Sequence, residues 1–274
     1  MTARQMMKML TNVKLSAGVF ALCQQFILPK VGKHLELLPK LRDRDGFQTR
    51  GMQMLGNLLA PFFRCRCQVP SEVTQSSQPI VFVCNHYEIF GPFAIVLSLP
   101  LRYRLWINSI VVRPREHIED MLIGTQHIFP FLSENGARRL LSIAAPVMER
   151  VLGRFHAIPV YRTNLGKQMR SIQQSVEAML HGSNIVLFPE TAIPAYSHGS
   201  VTEFFRSFAL IGEYYRRKTG ECAVFCPIYV DKKHRCLRFG KLVTYGTGKA
   251  DDECTRVVDA LRNQLLDMAQ QAIA

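Results

Sequence analysis

The stretch VFVCNHYEIFGP, Val81–Pro92, decides the fold of this chain. Its first residues form an apolar, β-branched run, the pattern of a strand buried on both faces, and we predict a strand at 80–84. The run ends abruptly at Asn85 and His86. Because α/β proteins bind ligands beyond the ends of such strands, we expect His86 where a neutral imidazole can take a proton from a hydroxyl. A packing role in a loop is the alternative for this histidine.

The chain after Pro70 alternates strand-like apolar runs with amphipathic helical stretches. This alternation predicts an α/β fold, a mixed sheet with helices on both faces, in a domain that spans residues 71–274. Further strands are predicted at 104–112, 156–160, 185–188, 223–230 and 236–243. Helices are predicted at 92–99, 116–124, 136–152, 166–181, 202–219 and 252–272.

Residues 1–70 are predicted to be a helical segment with an N-terminal helical pair, at 13–28 and 52–63. Neither helix is an uninterrupted apolar run of about 18 residues, so we expect no transmembrane helix. Both have an apolar side, and arginines flank the second. Such helices either lie in a membrane interface or pack on the protein's own core, and the sequence favours the two alternatives equally.

The net charge limits the classes of binding partner, and the cysteine content indicates the redox compartment. The formal net charge of +13 would attract anionic lipid, nucleic acid or a phosphorylated substrate. No aromatic and basic recognition motif supports a nucleic-acid interface, so we expect none. The eight cysteines lack the spacing of a disulfide framework and favour a reducing cytoplasm.

The spacing of residues does not support a metal site or two common enzyme motifs. A zinc site would use Cys222, Cys226, His234 and Cys236, which do not form paired C-x-x-C knuckles, so we expect no metal and no cofactor. The chain contains no G-x-S-x-G elbow, which weighs against a standard α/β-hydrolase. The segment GTGK at 246–249 lacks the upstream glycine spacing and the Ser/Thr of a phosphate-binding loop.

Three later apolar runs carry residues that suit a binding site. HAIPVYR brings a strand out to Arg162, a group suited to bidentate phosphate binding. NIVLFPET does the same for Glu190, after a proline that ends the strand. AVFCPIYV contains Pro227, which predicts an edge strand or a bulge near a pocket.

The order of these segments resembles the glycerolipid acyltransferase family, which includes the lysophosphatidic acid acyltransferases. The family's first motif, N-H-x-x-x-x-D-P, is matched by Asn85, His86 and Pro92. Its second, an apolar strand that ends in arginine, is matched by AIPVYR with Arg162. Its third, F-P-E-G-T-R, is matched over FPE at 188–190, and its fourth, a V-P-V-like strand, by CPIYV. The resemblance covers roughly residues 50–245.

The resemblance implies acyl transfer from acyl-CoA or acyl-carrier protein, as co-substrate, to a lysophospholipid-like acceptor. His86 would be the general base for the acceptor hydroxyl. The resemblance implies substrate-binding roles for Asn85, Arg162 and Glu190, and Arg206 is a candidate helper for the missing third-motif arginine. We expect a cytoplasmic protein that is peripheral on an anionic membrane surface.

Two departures from the family pattern bear on catalysis. Gly91 stands at the family's aspartate, and TAI at 191–193 replaces the third motif's Gly-Thr-Arg. A glycine cannot orient the imidazole or stabilise its protonated form, so we expect Gly91→Asp to raise turnover and Glu88 to be a candidate substitute carboxylate. A solvated loop glutamate is the alternative for Glu88. A non-catalytic lipid- or acyl-chain-binding member of the same fold is the alternative for the whole protein.

Overall fold

The computed structural model describes residues 50–87, 90–112, 119, 122, 133–161, 165–190 and 201–273. The chain divides into two compact units, Met1–Arg64 and Cys65–Ala274. The second unit begins six residues before the predicted boundary at 71, because Arg66–Cys67 forms a short strand that joins the sheet. The predicted helix at 13–28 lies outside the described residues.

A mixed sheet lies at the centre of the second unit. Over the described residues it has eight strands, in the order β1-β7-β6-β2-β5-β3-β4, with β8 paired to β6. The strands are β1 (Arg66–Cys67), β2 (Ile80–Cys84), β3 (Tyr103–Asn108), β4 (Ile158–Val160), β5 (Asn184–Leu187), β6 (Val224–Asp231), β7 (Cys236–Phe239) and β8 (Val243–Thr244).

The middle of the sheet is parallel. Strands β6, β2, β5, β3 and β4 run in one direction, whereas β7 and β8 are antiparallel to β6. The carboxyl ends of the five parallel strands therefore meet at one edge. This edge, the carboxyl edge, is where α/β proteins place their binding sites.

The described residues form helices of varied length, one in the first unit and the others in the second. They are α1 (Arg50–Phe63), which belongs to the first unit, and α2 (Ser71–Thr74), α3 (Phe90–Ser98), α4 (Ser109–Val112), α5 (Glu134–Arg154), α6 (Leu165–Leu180), α7 (Leu210–Thr219) and α8 (Ala250–Ile273). A 3₁₀ turn at Arg206–Ala209 precedes α7. No helix in the described ranges is long and apolar enough to cross a membrane.

The main core joins one face of the sheet to helices α6, α7 and α8. Val81 and Val83 of β2 belong to it, together with side chains from β5 and β6. Successive side chains of a strand point to opposite faces, and Ile80, Phe82 and Cys84 are also buried. The sheet is therefore covered on both faces, as the continuous apolar run of β2 predicts.

Local sequence signals set several helix ends. The Ser133 side chain accepts the N–H of Gly136 at 3.2 Å and begins α5 as an N-cap. Gly220 ends α7 in the left-handed region, at φ 79°, with its N–H donated to the carbonyl of Arg216. The helix predicted at 252–272 is confirmed as α8.

The strand that contains Pro227 differs from the prediction. β6 is not an edge strand, because it pairs with β2 on one side and with β7 and β8 on the other. β8 pairs with residues 224–225 and β7 with 228–231, so Pro227 falls in the gap between them. There its carbonyl accepts the N–H of Gly240 at 2.9 Å. Pro227 has no N–H to return to Gly240, so a single hydrogen bond joins the strands here where a ladder pair would exchange two.

Other boundaries shift for local reasons. The run predicted as one strand at 104–112 ends at Asn108, whose side chain accepts the N–H of Ile110 and starts α4. The predicted strand 236–243 breaks at Gly240 into β7 and β8. The predicted helix 202–219 begins only at the 3₁₀ turn, since Phe204 first pairs with Glu190 as an isolated bridge. The predicted helix 116–124 lies outside the described residues, except Glu119 and Leu122.

Candidate functional site

His86 lies at the carboxyl edge, two residues beyond the end of β2. Its backbone N–H donates to Oε2 of Glu190 at 2.8 Å. Its ring packs edge-on against Phe188, with 5.4 Å between the ring centroids. The Nδ1 atom is shielded from solvent. The histidine is thus held by the segment that follows β5, the strand next to β2.

Asn85 fixes the end of β2 to β6. Its Oδ1 accepts the N–H of Val230 at 2.6 Å, and its Nδ2 lies 3.5 Å from the carbonyl of the same residue. The side chain is 2% exposed. Where the resemblance implies substrate binding for Asn85, its amide continues the strand pairing past Cys84 and so positions His86.

Glu190 is a buried carboxylate in contact with the backbone of the site. It is 4% exposed, and besides the His86 N–H it accepts the N–H of Thr202 at 3.5 Å. Burial raises the pKa of Glu190, and the two backbone hydrogen bonds oppose that rise. The structure therefore gives Glu190 a positioning role beside His86, where the resemblance implies substrate binding.

Gly91 packs its backbone against the turn that carries His86. A Cβ atom on Gly91 would lie 2.7 Å from the carbonyl carbon of His86 and 2.9 Å from the carbonyl oxygen of Asn85, and still closer to the carbonyl oxygen of His86. Real Cβ atoms essentially never approach backbone this closely. The expected gain from Gly91→Asp therefore meets a steric obstacle, because a Cβ atom at this position requires the backbone of His86 to shift.

The turn after His86 is tight and carries an aromatic residue in an unusual conformation. Tyr87 has φ 37°, and its carbonyl accepts the N–H groups of Phe90 and Gly91 at 3.1 and 3.4 Å. Positive φ is rare for a bulky residue and persists only where the surroundings enforce it. Such outliers cluster at functional sites. The backbone of Tyr87 is therefore a second reason, besides His86, to regard this turn as a candidate site.

A basic hairpin between β6 and β7 lies against the same turn. Lys232 Nζ is 5.0 Å from the Tyr87 ring centroid and 5.6 Å from that of Phe90, and the Arg235 guanidinium is 5.8 Å from the latter. We call residues 232–235 (KKHR) the basic hairpin. Cations over aromatic faces are attracted by the ring quadrupole, so the hairpin brings positive charge to the neighbourhood of His86.

Asp231, the last residue of β6, holds this hairpin through hydrogen bonds. Its buried carboxylate accepts a hydrogen bond from the backbone N–H of His234 at 2.9 Å and contacts the Nδ1 of the same residue at 2.8 Å. It also accepts hydrogen bonds from Arg238, from Nε at 3.0 Å and from Nη2 at 2.8 Å. Burial by itself would raise the pKa of Asp231, but these hydrogen bonds outweigh it and lower the pKa overall. The carboxylate is neutralised within the cluster, which leaves the hairpin with a positive surface.

An apolar cavity of about 260 Å³ lies farther along the carboxyl edge. Trp106 and Phe205 both line it and stack on each other, with 6.3 Å between ring centroids. Trp106 Nε1 donates to Ser175 Oγ at 2.7 Å, which fixes the indole. Phe205 is tied to the His86 region, because its N–H donates to the carbonyl of Pro189 at 2.9 Å. The lining includes Trp106, Val160, Tyr161, Ser171, Ile172 and Phe205.

The remaining predicted site residues divide into two groups. Glu88 and Arg162 lie outside the described residues, although Arg162 directly follows Tyr161 of the cavity lining. Arg206 is exposed at the start of the 3₁₀ turn, between Phe205 and Ser207, which both line the cavity. Arg206 itself does not line the cavity.

Neither the basic hairpin nor the cavity was predicted from the sequence. The hairpin was visible as DKKHR after an apolar strand, but its position beside His86 depends on the β2–β6 pairing. The cavity combines residues of β3, β4 and α6 with Phe205, and no local pattern connects them. Among the described residues, no three His, Cys, Asp or Glu side chains come together as a metal site.

A comparison of the chain with protein-family models, with curated proteins and with solved structures finds no match. The similarity to glycerolipid acyltransferases therefore rests on the motif residues alone.

Proposed function

We propose that the protein transfers an acyl chain from a thioester, acyl-CoA or acyl-carrier protein, to the hydroxyl of a lysophospholipid-like acceptor. The observation that carries this proposal is the placement of His86 at the carboxyl edge, held by Glu190 and beside a positively charged hairpin. An apolar cavity lies at β3 and β4 of the same sheet. Each of these features answers one chemical need of the reaction: a base, a phosphate-binding surface and a place for an acyl chain.

In the proposed reaction, His86 accepts the proton of the acceptor hydroxyl as its oxygen attacks the thioester carbonyl carbon. A new C–O ester bond forms and the C–S bond breaks. The imidazolium then returns the proton to the departing thiolate, so that His86 ends the cycle neutral.

The basic hairpin supports the phosphate-bearing part of the substrates. Lysine and arginine attract phosphate groups, and no Asp or Glu occurs between Lys232 and Arg238. In this proposal Arg206, which lies in sequence between the lining residues Phe205 and Ser207, supplies a further cation. In this proposal the aromatic walls of the cavity, Trp106 and Phe205, hold the apolar chain.

The test uses purified full-length chain with acyl-CoA and lysophosphatidic acid in mixed micelles, and mass spectrometry of the diacyl product. We expect turnover by the wild type and a loss of about 10²- to 10⁴-fold in His86→Ala. His181→Ala is the matched control, since His181 is exposed at the end of α6. Equal activity of His86→Ala and the wild type would remove His86 as the base.

A second candidate function is a non-catalytic module that binds acyl chains. The steric need for glycine at position 91 favours it, because the family's carboxylate has no room there. Trp106 is the single tryptophan of the chain, so energy transfer from it to a polyene fatty acid reports occupation of the cavity. We expect Val160→Phe to block this binding without adding a second tryptophan. If the wild type is also inactive with every donor and acceptor, that result would select the binding function.

A further inference from the structure

Helix α5 has one buried side and one exposed apolar side. Ala137, Leu141 and Ala145 are buried, and the first two form a small core with Leu122. Arg138 ties the beginning of the helix to Glu119 at 2.7 Å and to Glu134 at 3.2 Å. The helix is thus fixed through its inner side, which leaves its other side facing outward.

The outward side carries large apolar residues that a globular surface normally avoids in a row. Leu140, Ile143 and Val147 are 44%, 72% and 54% exposed. Their spacing of three and four residues places them on one stripe of the helix. Scattered exposed apolar residues need no explanation, but a stripe of three on one helix marks an interaction surface.

The same side is basic and free of acidic residues. Arg139 and Arg150 are exposed and flank the stripe at helical spacing. The positions on this side, 136, 139, 140, 143, 147 and 150, include no Asp or Glu. Arginine buries its apolar stem and keeps its charge at the polar level, so it suits the boundary between lipid tails and phosphate headgroups.

We propose that this outer side of α5, defined by Arg139, Leu140, Ile143, Val147 and Arg150, docks on an anionic lipid surface. Apolar insertion and attraction to negative headgroups add together in such a contact. The charge decides for a membrane over a second copy of the chain: the net charge of +13 opposes pairing of two identical basic faces and favours a negative surface. The proposal is independent of the acyl-transfer activity.

The experiment compares binding of the full chain to vesicles of phosphatidylglycerol and phosphatidylcholine with binding to phosphatidylcholine alone. We expect the wild type to co-sediment with the anionic vesicles and Ile143→Asp to bind at least about fivefold more weakly, since it places a charge at the centre of the stripe. Leu180→Asp is the matched control, because Leu180 is 45% exposed at the end of another helix, α6.

A second measurement locates the contact. Ile143→Trp should be quenched by brominated anionic lipid, whereas Leu180→Trp should not, with the buried Trp106 as common background. Thermal melts of both Asp variants verify the fold. Absence of binding by the wild type, equal loss in both Asp variants, or equal quenching at 143 and 180 would overturn the proposal. So would a loss of self-association in Ile143→Asp with vesicle binding unchanged, because the stripe would then be a protein interface.

Discussion

Gly91→Ala gives the sharpest test of the turn that holds His86. The added Cβ would lie 2.7 Å from the carbonyl carbon of His86 and 2.9 Å from the carbonyl oxygen of Asn85. Both neighbours are backbone atoms at the end of a buried strand, so neither can swing away as a flexible side chain would. Overpacking of this kind costs about 1–3 kcal/mol, and we expect the upper end of that range. For a domain of this size, about 3 kcal/mol corresponds to a fall of roughly 6–12 °C in the melting temperature.

The assay is thermal unfolding of the wild type, Gly91→Ala, Gly91→Asp and Gly153→Ala. Gly153 lies in helix α5, and a Cβ there would meet nothing within 4 Å. Gly153→Ala should therefore keep or raise stability by about 0.5–1 kcal/mol, since alanine is the better helix former. Gly91→Ala and Gly91→Asp should fall together, because the Cβ that they share creates the clash.

Either of two results would refute this reasoning. If Gly91→Asp melts at the wild-type temperature and increases acyl transfer, the backbone of His86 yields to the side chain, and the residue is a lost catalytic aspartate after all. If Gly91→Asp alone is destabilised while Gly91→Ala is not, the charge and not the Cβ is the cause.

Three further predictions follow from the contacts around His86. Asn85→Ala leaves the Val230 N–H buried without its acceptor, and urea unfolding should show a loss of about 1–3 kcal/mol, whereas equal stability would mean that water replaces the amide. The pKa of Glu190 is raised in the folded state, so its contribution to stability is greatest below its unfolded pKa and is lost as pH rises through the folded pKa. Between pH 4 and pH 8 the free energy of unfolding should therefore fall more for the wild type than for Glu190→Gln. Parallel curves of unfolding free energy against pH would contradict this. Lys232→Ala should raise the KM for acyl-CoA with a smaller effect on kcat, and an unchanged KM would remove the basic hairpin from donor binding.

The parallel core of the sheet could be predicted because its signals are local. The run at 80–84 is apolar at every position, and such continuity occurs where both faces of a strand are covered. The same pattern located β5 and β6 to within a residue. Position beyond a strand end, together with the order of the motifs, made His86 a candidate site residue.

The roles of the residues near His86 could not be predicted from the sequence. Asn85 and Glu190 were expected to bind substrate, yet their side chains hold Val230 and the His86 backbone. Each of these hydrogen bonds joins residues more than 100 positions apart, and it exists only because β2 lies between β5 and β6. A motif names residue types, whereas strand order decides which backbone groups those side chains meet.

The sequence by itself determined the α/β class, the strand that delivers His86 and the positive charge of the chain, because hydrophobic period and composition are carried by neighbouring residues. Only the tertiary structure decided that Gly91 is packed too closely for any side chain, and that the basic hairpin borders the His86 turn. It likewise decided that residues of three elements enclose a cavity beyond β5. These features are distances between segments remote in the chain, and the packing of a whole sheet, with its fixed strand order and register, sets such distances.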